Sequence, residues 1–200
     1  MIVTQPLYDL SPLWRTVFWA SFSAWLASEI WVFSRDARSA SGARSDRGSR
    51  FLILVLVWFG LWGAFACAYS LGQWGIAAPP EVLFPAGIVL VWAGMILRIW
   101  SVLTLGRFFR TAVIVQDDHE LVIRGPYRLL RNPSYTGALA SVTGVCLDMG
   151  SWASLAVGIG SLLLAYAWRI RVEDQALKAR FGEAYGAYRK RTWALIPFVW

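Results

Sequence analysis

Charged residues are scarce in this sequence, and cysteine and histidine are scarcer still. Only 16% of the 200 residues are charged, against about 25% in an ordinary soluble domain, and mean hydropathy is +0.51. So little polar surface cannot enclose a water-soluble globule, which indicates an integral membrane protein. Cys67 and Cys146 lie in apolar runs without CxxC spacing, which argues against a disulfide framework. With His119 as the sole histidine, no metal site is expected.

Apolar runs predict an all-α membrane protein, a single domain over residues 1–200. A helix needs about 20 apolar residues to cross a bilayer, and three runs reach that length. The last stretch, 135–168, is interrupted at Asp148-Met149-Gly150, which predicts a hairpin of two short helices and argues against one long tilted helix. We expect no cleavable signal peptide, because the N-terminus lacks a basic segment and its first apolar run has span length. The five predicted transmembrane helices are 13–33, 51–71, 82–102, 135–147 and 152–168.

Lys and Arg are distributed unevenly among the loops, and this predicts the orientation. Arginines cluster in 34–50, in the segment after the third span and in the C-terminal tail, whereas 72–81 and the Asp148 turn have no Lys or Arg. The positive-inside rule then places the N-terminus outside and the C-terminus in the cytoplasm. The net charge of +7 is interpreted as topology and contact with anionic membrane lipids, not as nucleic-acid binding. Residues 171–191 predict an amphipathic cytoplasmic helix, bent at Gly182.

Polar groups that could carry chemistry concentrate in two predicted cytoplasmic regions, 103–134 and 169–200. In the first, Gly125-Pro126 and Asn132-Pro133 are turn signals, and the N–H-rich start of the following helix attracts carboxylates or phosphates. This pattern fits a binding loop and, equally, a basic juxtamembrane loop anchored by tyrosines. In the second, Arg169 and Glu173 share one helix face, as in an ordinary ion pair or in a pair that binds substrate and cofactor.

Three ionisable residues fall inside the predicted spans, namely Arg15, Glu29 and Arg98. An unpaired charge is costly in lipid, so these side chains should face the bundle interior or reach the headgroup layer.

The stretch HELVIRGPYRLLRNPSYTG, followed by the hairpin and then by RIRVEDQALKARFGEAYGAYRKR and IPF, resembles the isoprenylcysteine carboxyl methyltransferase family. That family is itself similar to the phospholipid N-methyltransferases. The resemblance covers 116–198 and implies S-adenosylmethionine-dependent methyl transfer to a lipophilic acceptor, such as an isoprenoid-type carboxylate, at the cytoplasmic membrane face. Such an in-line displacement needs no metal and can rest on alignment, with effective molarities of about 10⁵ M or more.

The resemblance also implies roles for individual residues. Arg169 would bind the substrate by orienting its anionic group, while Glu173 would hold polar atoms of the cofactor, and these two form the predicted catalytic pair. The family's motif histidine is Asn132 here, which keeps a donor and an acceptor but cannot carry charge. The implied cofactor-binding residues are Gln116, His119, Glu120, Leu121, Val122, Tyr127, Asn132, Pro133, Ser134, Tyr135 and Glu173.

Two other functions fit parts of the sequence. The first is an NADPH-dependent membrane sterol or enone reductase, whose C-terminal region is broadly similar in its Tyr-rich tail and late proline. The Gly-Pro-Tyr turn followed by Arg-Asn-Pro-Ser-Tyr favours the methyltransferase over the reductase. The second is a non-enzymatic membrane scaffold or lipid-binding protein, in which the arginines serve topology alone.

Overall fold

The computed structural model describes residues 5–37, 49–70, 74–106, 109 and 121–199. Short 3₁₀ turns occupy Leu7–Asp9 and Gly125–Arg128, and β-structure in these ranges is limited to two isolated bridges, Gly75 with Ser151 and Leu130 with Trp193. The prediction of an all-helical protein is confirmed. The helices are α1 (Pro12–Ala37), α2 (Ser49–Ser70), α3 (Pro80–Leu105), α4 (Pro133–Asp148) and α5 (Trp152–Lys190).

Glycines bring α3 and α4 into backbone contact along their length. A Cβ added at Gly94 would lie 2.4 Å from the Gly137 carbonyl oxygen, and one at Gly144 would lie 2.4 Å from the Gly87 carbonyl oxygen. Because each helix carries its two glycines seven residues apart, two close approaches fall on one antiparallel seam. This seam fixes the start of α4 against the end of α3, where the polar residues lie.

Aromatic rings hold α1 against its neighbours. Phe18 is 1% exposed, and its ring stacks on Tyr8 with centroids 4.2 Å apart. Trp14 stacks on Phe84 of α3 at 4.6 Å, and Trp19 lies against Phe65 of α2 at 6.0 Å. Ring packing therefore contributes much of the contact between α1 and its neighbours.

The described part of the arginine-free 72–81 loop and the turn after Asp148 lie together at one end of the bundle. The Ile76 amide donates to the Gly150 carbonyl at 2.9 Å, and the Tyr8 and Tyr69 hydroxyls lie 2.6 Å apart. A Cβ at Gly150 (φ 71°) would lie 2.6 Å from Leu7 Cγ, so the N-terminal turn shares this end. The C-terminal tail, residues 191–199, lies at the opposite end. There it contacts the loop before α4, of which residues 121–132 are described.

Helix α5 continues well beyond the span predicted to end at Trp168. Its helical backbone is interrupted at Gly182 (φ 52°, ψ −122°), the position at which the sequence predicts a bend. Within the described ranges, two helices are long and apolar enough to cross a membrane, Pro80–Leu105 and Trp152–Lys190, with Ile53–Tyr69 a shorter apolar helix. Helix α4 has 16 residues and is about 24 Å long.

Candidate active site

Three of the predicted site residues meet where α4 and α5 lie side by side. Glu173 Oε1 accepts a hydrogen bond from the Tyr135 hydroxyl and another from Arg169 Nε, each at 2.7 Å. The Arg169 side chain is 1% exposed and that of Glu173 is 20% exposed. Such charge-assisted hydrogen bonds are strong when shielded from water, so the three side chains have a defined mutual geometry.

Tyr166 extends this cluster, and it was not among the residues predicted from the sequence. Its ring stacks on that of Tyr135 with centroids 4.6 Å apart, and it is buried. Tyr166, Arg169 and Glu173 recur at spacings of three and four residues, so they lie on one face of α5. That spacing was the signal by which Tyr166 could have been found.

The C-terminal tail closes onto the loop before α4 through backbone contacts. The Arg131 amide donates to the Trp193 carbonyl at 2.8 Å, and the Trp193 amide donates to the Leu129 carbonyl at 3.0 Å. The Thr136 hydroxyl donates to the Leu195 carbonyl at 2.6 Å. The break at Gly182 redirects the chain so that the tail can reach this loop.

The Arg131 side chain reinforces this closure. It is 10% exposed and donates to the Thr192 carbonyl and, at 3.2 Å, to the Arg189 carbonyl. Its Nε lies 4.0 Å from Asp174, which also pairs with Arg189 at 3.5 Å and accepts a hydrogen bond from the Tyr185 hydroxyl. One guanidinium thus joins the loop, α5 and the tail.

Tyr127 lies buried between the loop and the end of α3. Its hydroxyl donates to the Ser101 carbonyl at 3.5 Å, and its own carbonyl accepts from the Tyr188 hydroxyl at 2.8 Å. Burial raises the pKa of Tyr127 well above its usual value, and the nearby Tyr188 and Glu173 raise it further. The phenol therefore stays neutral and can act as a hydrogen-bond donor within electrostatic range of Glu173.

The other predicted residues near the start of α4 have different partners. Asn132 Nδ2 donates to the Ala194 carbonyl at 2.9 Å, so this amide binds the tail. Pro133 is the first residue of α4 and is buried, and Ser134 contacts Arg98 of α3. Of this motif, Tyr135 is the residue whose side chain binds Glu173.

The first part of the predicted loop is only partly described. Leu121 and Val122 are half-buried and lead into the turn at Gly125, whose φ is 58°. Gln116, His119 and Glu120 lie outside the described residues, and their assignment stays a prediction from the resemblance.

Comparison with protein families matches residues 82–184 to the phospholipid methyltransferase family. This range begins in α3 and ends just after Gly182, so it contains Tyr127, Tyr135, Arg169 and Glu173.

Curated relatives match somewhat more than half of the chain. A probable protein-S-isoprenylcysteine O-methyltransferase of Oryza sativa subsp. indica is 30% identical over 115 residues, which are 56% of this chain and 60% of that protein. Protein-S-isoprenylcysteine O-methyltransferase B of Arabidopsis thaliana is 31% identical over 115 residues, with coverages of 56% and 58%. The Saccharomyces cerevisiae enzyme is 33% identical over 115 residues, with coverages of 56% and 48%. The chain therefore spans less than two thirds of the length of these relatives.

A solved structure extends the likeness to nearly the whole chain. The structure of the eukaryotic intramembrane Ras methyltransferase ICMT has a TM-score of 0.63 and 20% sequence identity, and it covers 96% of this chain and 70% of that one. At this identity the match shows a shared fold, including the first two helices that the family match omits. The chain belongs to the phospholipid methyltransferase family, and its resemblance to the isoprenylcysteine carboxyl methyltransferases is confirmed.

Proposed function

We propose that this protein transfers a methyl group from S-adenosylmethionine to a carboxylate on a lipophilic acceptor at the cytoplasmic face of a membrane. The observation that carries the proposal is the shared carboxylate oxygen of Glu173, which binds Tyr135 and Arg169 inside the matched family range. The names of the curated relatives support a carboxyl acceptor, as in an isoprenylated cysteine. Family membership favours this function over the NADPH-dependent reductase and the scaffold.

The residues around Glu173 fit a cationic, hydrogen-bonding cofactor. When bound, S-adenosylmethionine supplies an electrophilic methyl group on a sulfonium. The Glu173 carboxylate can accept hydrogen bonds from amino or ribose hydroxyl groups, the neutral Tyr127 hydroxyl can donate one, and the ring of Tyr135 can attract a cation. We assign the remaining cofactor contacts to the residues that the resemblance indicates, namely Gln116, His119, Glu120, Leu121, Val122, Asn132, Pro133 and Ser134.

Arg169 is proposed to orient the acceptor. Its guanidinium is buried, and the hydrogen bond from Nε to Glu173 fixes its position. A carboxylate acceptor is already ionised at neutral pH and needs no general base. The task of these residues is therefore to align the acceptor oxygen with the methyl carbon and to exclude water, for which a rigid cluster is suited.

We also propose that all five helices cross the bilayer, with the N-terminus outside and the site at the cytoplasmic surface. Support comes from the two ends of the bundle: the arginine-free loops and the N-terminal turn meet at one end, and the tail and the loop before α4 meet at the other. Basic residues on the second end match the positive-inside rule. A lipid acceptor could then enter from the bilayer and the cofactor from the cytosol.

Cofactor binding is tested by titration calorimetry of the purified protein in detergent with S-adenosylmethionine. Tyr135→Phe and Glu173→Gln should each weaken binding about tenfold or more, as expected for loss of a hydrogen bond to a charged group. Glu183→Gln, an exposed acid after Gly182, is the matched control and should bind as wild type does. Unchanged affinity in both site variants would show that the site is assigned wrongly, whereas a wild-type protein that does not bind would refute the function.

The acceptor class is tested with purified protein and labelled cofactor. Methyl incorporation is measured with a peptide ending in an S-isoprenylated cysteine, with a long-chain fatty acid and with phosphatidylethanolamine. We expect label in a carboxyl acceptor as a base-labile ester, and Arg169→Lys should raise KM for it more than tenfold, because the planar guanidinium fork is lost. Label found only in phosphatidylethanolamine would contradict the carboxylate proposal.

A further inference from the structure

Two charged residues inside the bundle form an ion pair next to the candidate site. Arg98 of α3 contacts both carboxylate oxygens of Glu29 of α1. Its Nε lies 2.6 Å from Oε1, and its Nη2 donates a hydrogen bond to Oε2 at 2.7 Å. The two side chains are 14% and 25% exposed. Glu29 lies outside the residues that match the family, and Arg98 lies within them.

The same guanidinium holds the first turn of α4. Arg98 Nη1 donates to the carbonyl and to the hydroxyl of Ser134, each at 3.1 Å. Ser134 is 8% exposed and directly precedes Tyr135, whose hydroxyl binds Glu173 at 2.7 Å. A short path of bonds therefore runs from α1 through Arg98 and the α4 backbone to the Glu173 carboxylate.

Helix packing makes this path stiff. Gly137 lies one turn after Ser134, and a Cβ there would lie 2.8 Å from the Arg98 amide nitrogen. The backbone of α4 thus lies directly on α3 at Arg98, so the guanidinium reaches Ser134 from a closely packed part of the backbone. The guanidinium is also within electrostatic range of the Tyr127, Tyr135 and Tyr166 phenols.

We propose that Glu29 and Arg98 are positioning residues for the methyltransferase site: the pair clamps the first turn of α4 and thereby keeps the Tyr135 hydroxyl on Glu173. Glu29 restrains the guanidinium through one hydrogen bond from Nη2 and a second, ion-pair contact at Nε. Arg98 then presents its remaining edge to Ser134. A helix of the first half thereby contributes to the geometry of the cofactor site. This inference rests on the proposed binding of S-adenosylmethionine near Tyr135 and Glu173.

The double variant Glu29→Leu/Arg98→Met separates positioning from stability. Replacing both members of a buried ion pair by apolar residues of similar size is often neutral for stability, whereas removal of one member leaves an unpaired buried charge. We therefore expect a thermal midpoint close to that of wild type. The affinity for S-adenosylmethionine should nevertheless fall about tenfold, as for residues coupled in one hydrogen-bond network. Glu81→Leu, at an exposed acid in the first turn of α3, is the control and should bind as wild type does.

A mutant cycle in calorimetric affinity then tests whether the pair acts through Tyr135. It compares wild type, Tyr135→Phe, the double variant and all three substitutions together. Positioning predicts that the combined protein binds about as weakly as the weaker of its two parents, since each change removes the same contact. Additive losses, or a double variant that is folded and binds as wild type does, would overturn the inference while leaving the proposed function intact. If wild type itself does not bind the cofactor, the proposed function and this inference both fail.

Discussion

The first half of the molecule, which contains α1 and α2, and the second half, from α3 to the tail, are held together by different forces. In the first half, α1 packs on its neighbours through stacked rings, such as Phe18 on Tyr8 and Trp14 on Phe84. In the second half, the loop before α4, α5 and the tail are joined by directional hydrogen bonds, many of them from side chains to carbonyl oxygens. Apart from a few directional contacts such as that of Glu29 with Arg98, the aromatic half fills a volume, whereas the polar half fixes individual atoms.

The two kinds of contact differ in how easily they can be replaced. A stacked ring can be exchanged for another apolar side chain at modest cost if the volume is kept. A hydrogen bond between Arg131 and two carbonyl oxygens has no apolar substitute, because the carbonyl groups would be left unsatisfied. The contact of Tyr135 with Glu173 lies inside the matched range 82–184, whereas the carbonyl partners of Arg131 lie beyond it.

The largest effect in this comparison is expected for Arg131→Met. The substitution removes the guanidinium that joins the loop, Asp174 and the tail, and it should destabilise the protein by about 2–4 kcal/mol. Thermal unfolding in detergent measures this as a fall of roughly 4–16 °C in the midpoint. Arg128→Met, at an exposed arginine of the same loop, should shift the midpoint little. Equal shifts in both variants would mean that the polar half is not held by these bonds.

A smaller effect is expected for Phe18→Leu in the aromatic half. Loss of the stack on Tyr8 should cost about 1–2 kcal/mol, the scale of an aromatic pair plus a small change in volume. The affinity for S-adenosylmethionine should be unchanged, because no directional contact to the site is lost. Phe59→Leu, at a ring of α2 that is 73% exposed, is the control for stability. A tenfold loss of cofactor affinity in Phe18→Leu would contradict the claim that the aromatic half affects stability without affecting cofactor binding.

The sequence was sufficient to predict the elements of the fold that depend on hydrophobic runs and breakers. The helical class, the interruption at Asp148–Ser151 and the bend at Gly182 all follow from local patterns, and each has its counterpart in the structure. The packing seam of α3 and α4 was not predicted. Its glycines, seven residues apart on both helices, are visible in the sequence, but which two helices meet is a long-range property.

The contacts of the candidate site likewise divide into those that the sequence predicts and those that it does not. Arg169 and Glu173 were placed together by their spacing on one helix, and their contact follows from helix geometry. The contacts of Tyr135 with Glu173, of Arg98 with Glu29 and of Asn132 with the tail join residues distant in sequence. Spacing carries no information on such contacts, so they required the folded structure.

The smallest effect is expected for Asn132→His, which introduces the residue of the family motif. Asn132 Nδ2 donates to the Ala194 carbonyl at 2.9 Å, and a neutral imidazole can donate one hydrogen bond to the same oxygen. Residue 132 directly precedes α4, and a positive charge is disfavoured at the start of a helix. The neutral imidazole should therefore predominate at pH 7. We expect the thermal midpoint to shift by about 2 °C or less, and the affinity for S-adenosylmethionine by less than about threefold.

Asn132→Ala is the reference for this last comparison, since it removes the donor and leaves the Ala194 carbonyl without that partner. It should cost about 1 kcal/mol, a larger loss than in the histidine variant. Calorimetry at pH 6 and pH 8 adds a second test, because a role that requires imidazolium would make Asn132→His bind the cofactor more tightly at pH 6 than wild type does. A histidine variant as unstable as Asn132→Ala would instead show that only the short amide fits between α4 and the tail. Asn132 would then be required by the position of Ala194 in this chain.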